Sequence, residues 1–171
     1  MNRVIKKVCL LGEESVGKTS LVQRFVYDRF SEVYKSTIGV SLSKKTIVSG
    51  STETVLMVWD LEGNSEPSRL PQDYMRGAHF ALAVADLSRP ETMAKAALFS
   101  RSFLKLNPHS SCILALNKSD LMPGATKESF FRELPDSSEF ETLFMQITLT
   151  SAKTGGNTDV LFNYISGGAA E

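Results

Sequence analysis

Short apolar runs recur along this chain, and most are followed by a stretch whose apolar residues return every three or four positions. The first run, 4–11, closes on Val8, Cys9, Leu10 and Leu11, and behind it Leu21, Val22, Phe25 and Val26 mark one face of a helix reaching about Tyr27. From Asp28 to Gly39 the pattern is polar and aperiodic. Runs at 41–48 and 53–60, joined by Ser49, Gly50 and Ser51, are spaced as a hairpin. The stretch 61–77 carries Gly63, Pro67, Pro71 and Gly77 and reads as loop with at most a short helix. A buried-type strand at 80–84 ends at Asp86. Pro90 opens a helix to about Leu106, with Met93, Ala97, Leu98 and Leu104 facing inward. A strand at 112–116, a helix at 126–134, a strand at 144–149 and a last helix at 157–165 follow, the last with Val160, Leu161, Tyr164 and Ile165 inward. Strands alternating with helices predict an α/β fold: a mostly parallel, six-stranded sheet with helices on both faces. Ligands bind such sheets beyond the carboxyl ends of the strands.

Composition adds a few exclusions. The 171 residues suffice for one domain with a core, and no repeat or linker divides them. We read 1–166 as that domain and 167–171 as the start of a flexible tail. Nineteen basic residues balance nineteen acidic ones, which argues against a general nucleic-acid or anionic-membrane binder. No apolar stretch is long enough to cross a bilayer, and residues 1–7 are too short and charged for a signal peptide. Cys9 and Cys112 lie inside apolar runs and are expected to be reduced core residues, which points to the cytoplasm.

The chemistry is concentrated in residues 12–20, Gly-Glu-Glu-Ser-Val-Gly-Lys-Thr-Ser. They match G-x-x-x-x-G-K-[ST] between a strand and a helix, the context a phosphate-binding loop requires. Glycines let backbone N–H groups turn inward as an anion nest, and the helix aims its positive end at the same place. Glu14, Ser15, Val16, Gly17, Lys18, Thr19 and Ser20 are therefore candidate phosphate contacts. Lys18 should reach the β and γ oxygens as a point charge, and the Thr19 hydroxyl should ligate Mg²⁺.

Two further motifs sit at strand ends. Asn117-Lys118-Ser119-Asp120 matches N-K-x-D. The two acceptor oxygens of Asp120 suit the adjacent ring N–H and exocyclic amine of guanine, whereas adenine presents an acceptor there. The Lys118 stem can pack on the base, Asn117 can tie this loop to the phosphate loop, and Leu121 follows directly. After the last strand come Ser151, Ala152 and Lys153, and the Ala152 N–H can donate to the guanine carbonyl. Each motif alone is met in ordinary surface turns; their joint order is not.

With these residues, the chain resembles a Ras-superfamily small GTPase of the P-loop NTPase class, most like the Rab branch. The resemblance extends through Ser36-Thr37-Ile38-Gly39, Trp59-Asp60 with Gly63, Arg76-Gly77-Ala78 and Thr154-Gly155-Gly156-Asn157. It implies a GDP/GTP switch that recruits effectors in membrane traffic. It also implies that Phe30 lies against guanine, that Tyr34 covers the phosphates, that Asp60 holds the Thr19-bound Mg²⁺ through a water, and that Thr37 joins the Mg²⁺ only when a γ-phosphate is present. The Gly63 N–H would bind the γ-phosphate. Effector, exchange and activating proteins would use 30–39 and 61–77, and a monomer is expected.

The departures are as informative. Where the family reads W-D-T-A-G-Q-E, this chain has Asp60-Leu61-Glu62-Gly63-Asn64. Asn64, a catalytic candidate with Lys18, is one methylene shorter than the glutamine that orients the attacking water. Glu14 and Glu62 would place carboxylates near an anionic ligand, opposing hydrolysis, unless one holds Mg²⁺ or water, or both turn to solvent. Slow hydrolysis is expected, and a hydrolysis-deficient GTP-binding scaffold is the alternative. An ATP-using phosphotransferase is disfavoured by Asp120. No lipid-modified tail is visible before Glu171, for which truncation is the expected reason; membrane contact would require such a tail.

Overall fold

The computed structural model describes residues 2–33, 35–64, 66–132 and 137–167. Six strands form one sheet: β1 (Asn2–Leu11), β2 (Val40–Ser49), β3 (Thr52–Leu61), β4 (Phe80–Asp86), β5 (Ser111–Asn117) and β6 (Gln146–Leu149). Their order is β2-β3-β1-β4-β5-β6. The β2–β3 hairpin is antiparallel and the other pairings are parallel. The helices are α1 (Lys18–Tyr27), α2 (Gln72–Met75), α3 (Glu91–Leu106), α4 (Lys127–Arg132), α5 (Ser137–Leu143) and α6 (Thr158–Ser166), with a 3-10 turn at Pro67–Arg69.

The central strands are apolar throughout because both faces are covered. Successive side chains of a strand point to opposite faces, and two separate cores result. Cys9, Leu11, Ala81, Ala83, Ala85, Cys112 and Leu114 share one core with Met93, Phe99 and Phe103 of α3. Three alanines in a row on that face of β4 leave room for the two phenylalanines. Val8, Leu10, Leu82, Val84 and Ile113 share the other core with Leu21 and Phe25 of α1 and Leu161, Phe162 and Ile165 of α6. Phe25 and Phe162 stack there with centroids 3.8 Å apart. Cys9 and Cys112 are free and buried, and burial pushes both thiols up to about 12, so they are inert at neutral pH.

Several expectations need correction. Leu98 and Val160 are 45% and 44% exposed, whereas Leu104 and Tyr164 are partly buried and pack against the two cores as expected. Phe99, Phe103 and Phe162 take the inward positions instead. Helix α5 was not foreseen, because Phe140 alone among its residues is fully committed to the core. Phe144 precedes β6 rather than starting it, its ring packing on Phe140. The expected helix at 126–134 is described as Lys127–Arg132, and Leu134 lies outside the described residues. Residues 28–33 and 35–39 have no helix or strand and are mostly exposed.

Candidate functional site

The carboxyl ends of β1, β3, β4, β5 and the residues after β6 open on one side of the sheet, around a cavity of about 990 Å³. Glu14, Ser15, Gly17, Lys18, Thr19 and Ser20 line it from the phosphate-loop side, with Gly63 and Thr37. Asn117, Lys118, Asp120, Leu121, Ala152 and Lys153 line the other end, and Phe30 contributes from the loop after α1. Val16 is different: its side chain is fully buried in the core. Tyr34 lies outside the described residues.

The phosphate-loop end is built on close backbone approach. Gly12, Ser15 and Gly17 have positive φ angles of 154°, 63° and 100°, and Lys18 begins α1 directly after them. A Cβ on Gly17 would lie 2.2 Å from Asn117 Nδ2, and one on Gly63 would lie 2.7 Å from Glu14 Cα and 3.1 Å from Lys18 Nζ. Glycine at 63 thus lets the end of β3 close onto the phosphate loop. Lys18 Nζ donates to the carbonyls of Gly12 and Glu13 at 3.0 and 2.9 Å. Burial brings the Lys18 ammonium down to about 8, with Asp60 opposing the fall.

Beside Lys18 lies an oxygen cluster. Thr19 Oγ1 donates to Asp60 Oδ2 at 2.6 Å, and the Thr37 hydroxyl is 2.6 Å from Thr19 Oγ1. Burial raises the Asp60 carboxyl above its usual range, while Thr19 and Lys18 pull it down. Its second oxygen, Oδ1, is buried without a hydrogen-bond partner. Two hydroxyls and a carboxylate with an unmatched oxygen are the hard donors Mg²⁺ takes. Among the described residues no group of three His, Cys, Asp or Glu could hold a metal alone. A cation here would complete its shell with oxygens from outside the protein, water or phosphate.

Asn117 joins the two ends. Buried at the end of β5, it donates from Nδ2 to the Val16 carbonyl at 3.0 Å. Its Oδ1 accepts from Ala152 N and Thr150 Oγ1 at 3.2 and 3.3 Å. The Ala152 N–H, expected to face a guanine carbonyl, is thus directed at Asn117 here. Ser151 Oγ donates to Asp120 Oδ1 at 2.6 Å and orients that carboxylate from behind. Lys118 stretches across the site, its ammonium 2.8 Å from Ser15 O and 2.7 Å from Asp86 Oδ2. Burial alone would raise Asp86, but bonds from Lys118 and Ser88 outweigh it and hold the carboxyl below its usual range.

Glu14 and Glu62 both line the cavity, as their positions in the sequence led us to expect. Glu62 Oε2 accepts the Gly39 N–H at 3.0 Å, and Asn64 Nδ2 donates to the Glu62 carbonyl at 2.9 Å. The Asn64 amide is thus engaged with its own turn. Glu14 is exposed at the cavity and makes contacts of its own.

Motif reading missed three groups. Arg24 on α1 donates from Nε to Ala152 O at 2.9 Å and from Nη2 to Lys153 O at 2.7 Å, with Asp28 on its third nitrogen. Asp86 anchors Lys118, and Arg89 bridges Asp86 to the Glu14 carbonyl at 2.9 Å. The only signal in the sequence was that Asp86 ends a buried strand on the ligand side of the sheet.

A family model for the Roc domain, described as Ras of Complex, Roc, domain of DAPkinase, matches residues 7–120. Those residues carry the phosphate loop, Thr37, Asp60, Gly63 and the Asn117–Asp120 motif, and the match spans two thirds of the chain. The site assembled above, on a six-stranded sheet of this order, agrees with that match: the chain belongs to the Roc family, a Ras-superfamily small GTPase domain whose members bind guanine nucleotide.

Proposed function

We propose that this chain is a guanine-nucleotide switch with slow intrinsic hydrolysis. One observation carries the reading. A single cavity has Lys18, Thr19 and Thr37 at one end, with Asp60 behind them, and Asp120, Lys118 and Ala152 at the other. Its volume fits a nucleoside di- or triphosphate. In this proposal the loop amides and Lys18 hold the phosphates, and Asp120, oriented by Ser151, reads the guanine edge. Thr19, Thr37 and Asp60 would hold a magnesium ion, which when bound would supply positive charge to the phosphates.

Slow hydrolysis follows from Asn64. Its side chain is short, and its amide nitrogen is spent on the Glu62 carbonyl, so it orients a water poorly. Titration with fluorescent GDP, GTP and ATP should give binding to the first two only. Single-turnover decay of bound GTP as fast as in an ordinary small GTPase would refute the slow-hydrolysis claim. The scaffold reading, in which nucleotide is held without turnover, is favoured if no phosphate is released over hours.

Partners are proposed on the loops at 30–39 and 61–77. Ile38, Leu42 and Tyr74 are 88%, 48% and 46% exposed on that side, and Trp59 lies against Tyr74 with Lys7 over its ring. A Rab-type role in membrane traffic and a cytoplasmic, membrane-peripheral location rest on the sequence resemblance alone. Limited proteolysis of GDP- and GTP-loaded protein tests whether these loops respond to the nucleotide.

A further inference from the structure

The β2–β3 ladder ends in register at Val40 opposite Leu61. One step beyond, Gly39 faces Glu62. An antiparallel pair at such a position normally exchanges two backbone hydrogen bonds. The first is present, from Glu62 N to Gly39 O at 2.9 Å. The second is rerouted: the Gly39 N–H donates to the Glu62 carboxylate at 3.0 Å, and the Glu62 carbonyl accepts from Asn64 instead. Glu62 thus uses its side chain where its own carbonyl would have served. The chain is released from the ladder at that point, and Gly63 turns against the phosphate loop.

Gly39 is two residues from Thr37, whose hydroxyl meets Thr19. We propose that Glu62 is a positioning residue that ties the first loop to the second through protein atoms alone. The first loop then stays docked on Thr19 and Asp60 whether or not a γ-phosphate is present. Nucleotide-dependent change falls instead on the second loop, 66–77. A small residue at 62 cannot make this bond, so the tie belongs to this chain's own departure from the small-GTPase pattern. The inference rests on the proposed guanine-nucleotide reading for its two ligands.

The test is amide hydrogen exchange at Gly39 in the full chain with Mg²⁺, loaded with GDP or with a non-hydrolysable GTP analogue. Wild-type, Glu62→Gln and Glu62→Ala proteins are compared. Wild-type exchange at Gly39 should agree within about twofold between nucleotides, since the protecting acceptor is a protein carboxylate. Glu62→Ala should exchange about five- to tenfold faster with GDP, as expected for loss of a solvent-exposed, charge-assisted bond. It should change little with the GTP analogue, which orders the loop by itself. Glu62→Gln keeps an acceptor oxygen and should stay near wild type. A wild-type difference of tenfold or more between nucleotides, or Glu62→Ala matching wild type with GDP, would overturn the proposal. If the nucleotide titration fails, the functional reading falls on its own. The tie is then still judged by Gly39 exchange in ligand-free wild type and Glu62→Ala, where equal rates refute it.

Discussion

Truncating Asn117 should cost more than any other single change at the site. Its side chain is 1% exposed and serves three neighbours that are themselves buried: Val16, Thr150 and Ala152. Asn117→Ala leaves a carbonyl, a hydroxyl and an amide N–H without that partner. Each desolvated orphan costs about 1–3 kcal/mol. The vacated space is polar and can admit a water, which recovers part of the loss. We therefore expect about 3–5 kcal/mol, a large share of the roughly 5–15 kcal/mol that holds a domain folded. For this chain length the melting temperature should fall by about 10 °C. Asn117→Asp separates the contributions. It keeps the acceptor for Ala152 and Thr150 but sets a carboxylate oxygen 3.0 Å from the Val16 carbonyl, acceptor against acceptor. That repulsion raises the folded-state pKa of the new carboxyl, so its penalty is present at neutral pH and relieved as pH falls through the raised value. The assay is urea unfolding of nucleotide-free protein at pH 5 and pH 7, with release of fluorescent GDP measured alongside. An Asn117→Ala loss below 1 kcal/mol with unchanged release would refute the argument, as would an Asp variant that is no better at pH 5.

Three further outcomes are expected. Arg24→Ala removes two bonds to the Ala152 and Lys153 carbonyls and should speed GDP release about fivefold or more while costing only about 1–2 kcal/mol of stability, since the site is partly exposed; stopped-flow release and urea titration read both. Gly63→Ala should weaken triphosphate binding strongly with little unfolding, because its Cβ would meet the phosphate-loop backbone at 2.7 Å and the second loop must swing away; calorimetric titration with a GTP analogue checks this. Lys18 is held at about 8 when folded against 10.5 otherwise; the unfolded chain binds its proton more tightly, so the Lys18 contribution to nucleotide-free stability should rise between pH 8 and 10.5, against the fall that the two buried thiols bring above pH 9. Lys18→Met should abolish that rise in urea titrations across the range.

Sequence and structure divide the site along a physical line. Gly12 to Ser20 and Asn117 to Asp120 act within a few consecutive residues, so their spacing alone pointed to the chemistry, whereas Asp60 and Gly63 were picked out by the family resemblance. The strands and most helices were readable for the same reason: period two and period 3.6 are local properties of the backbone. The helix at Ser137–Leu143 was not, having too few apolar residues to show a period.

What only the tertiary structure decided concerns partners distant in sequence. Arg24 grips a carbonyl 128 residues away, and Glu62 bonds an amide 23 residues before it. Neither has a local signature, because a long polar side chain has many possible partners until the fold selects one. Glu62 is the clearest instance. By its charge it reads as an obstacle to phosphate chemistry; the end of the β2–β3 ladder turns it into a link between two loops. The sequence by itself determined that a phosphate-loop motif and an N-K-x-D motif both follow strands of one sheet. Packing against neighbours that are far apart along the chain determined how the loops bearing them are held together.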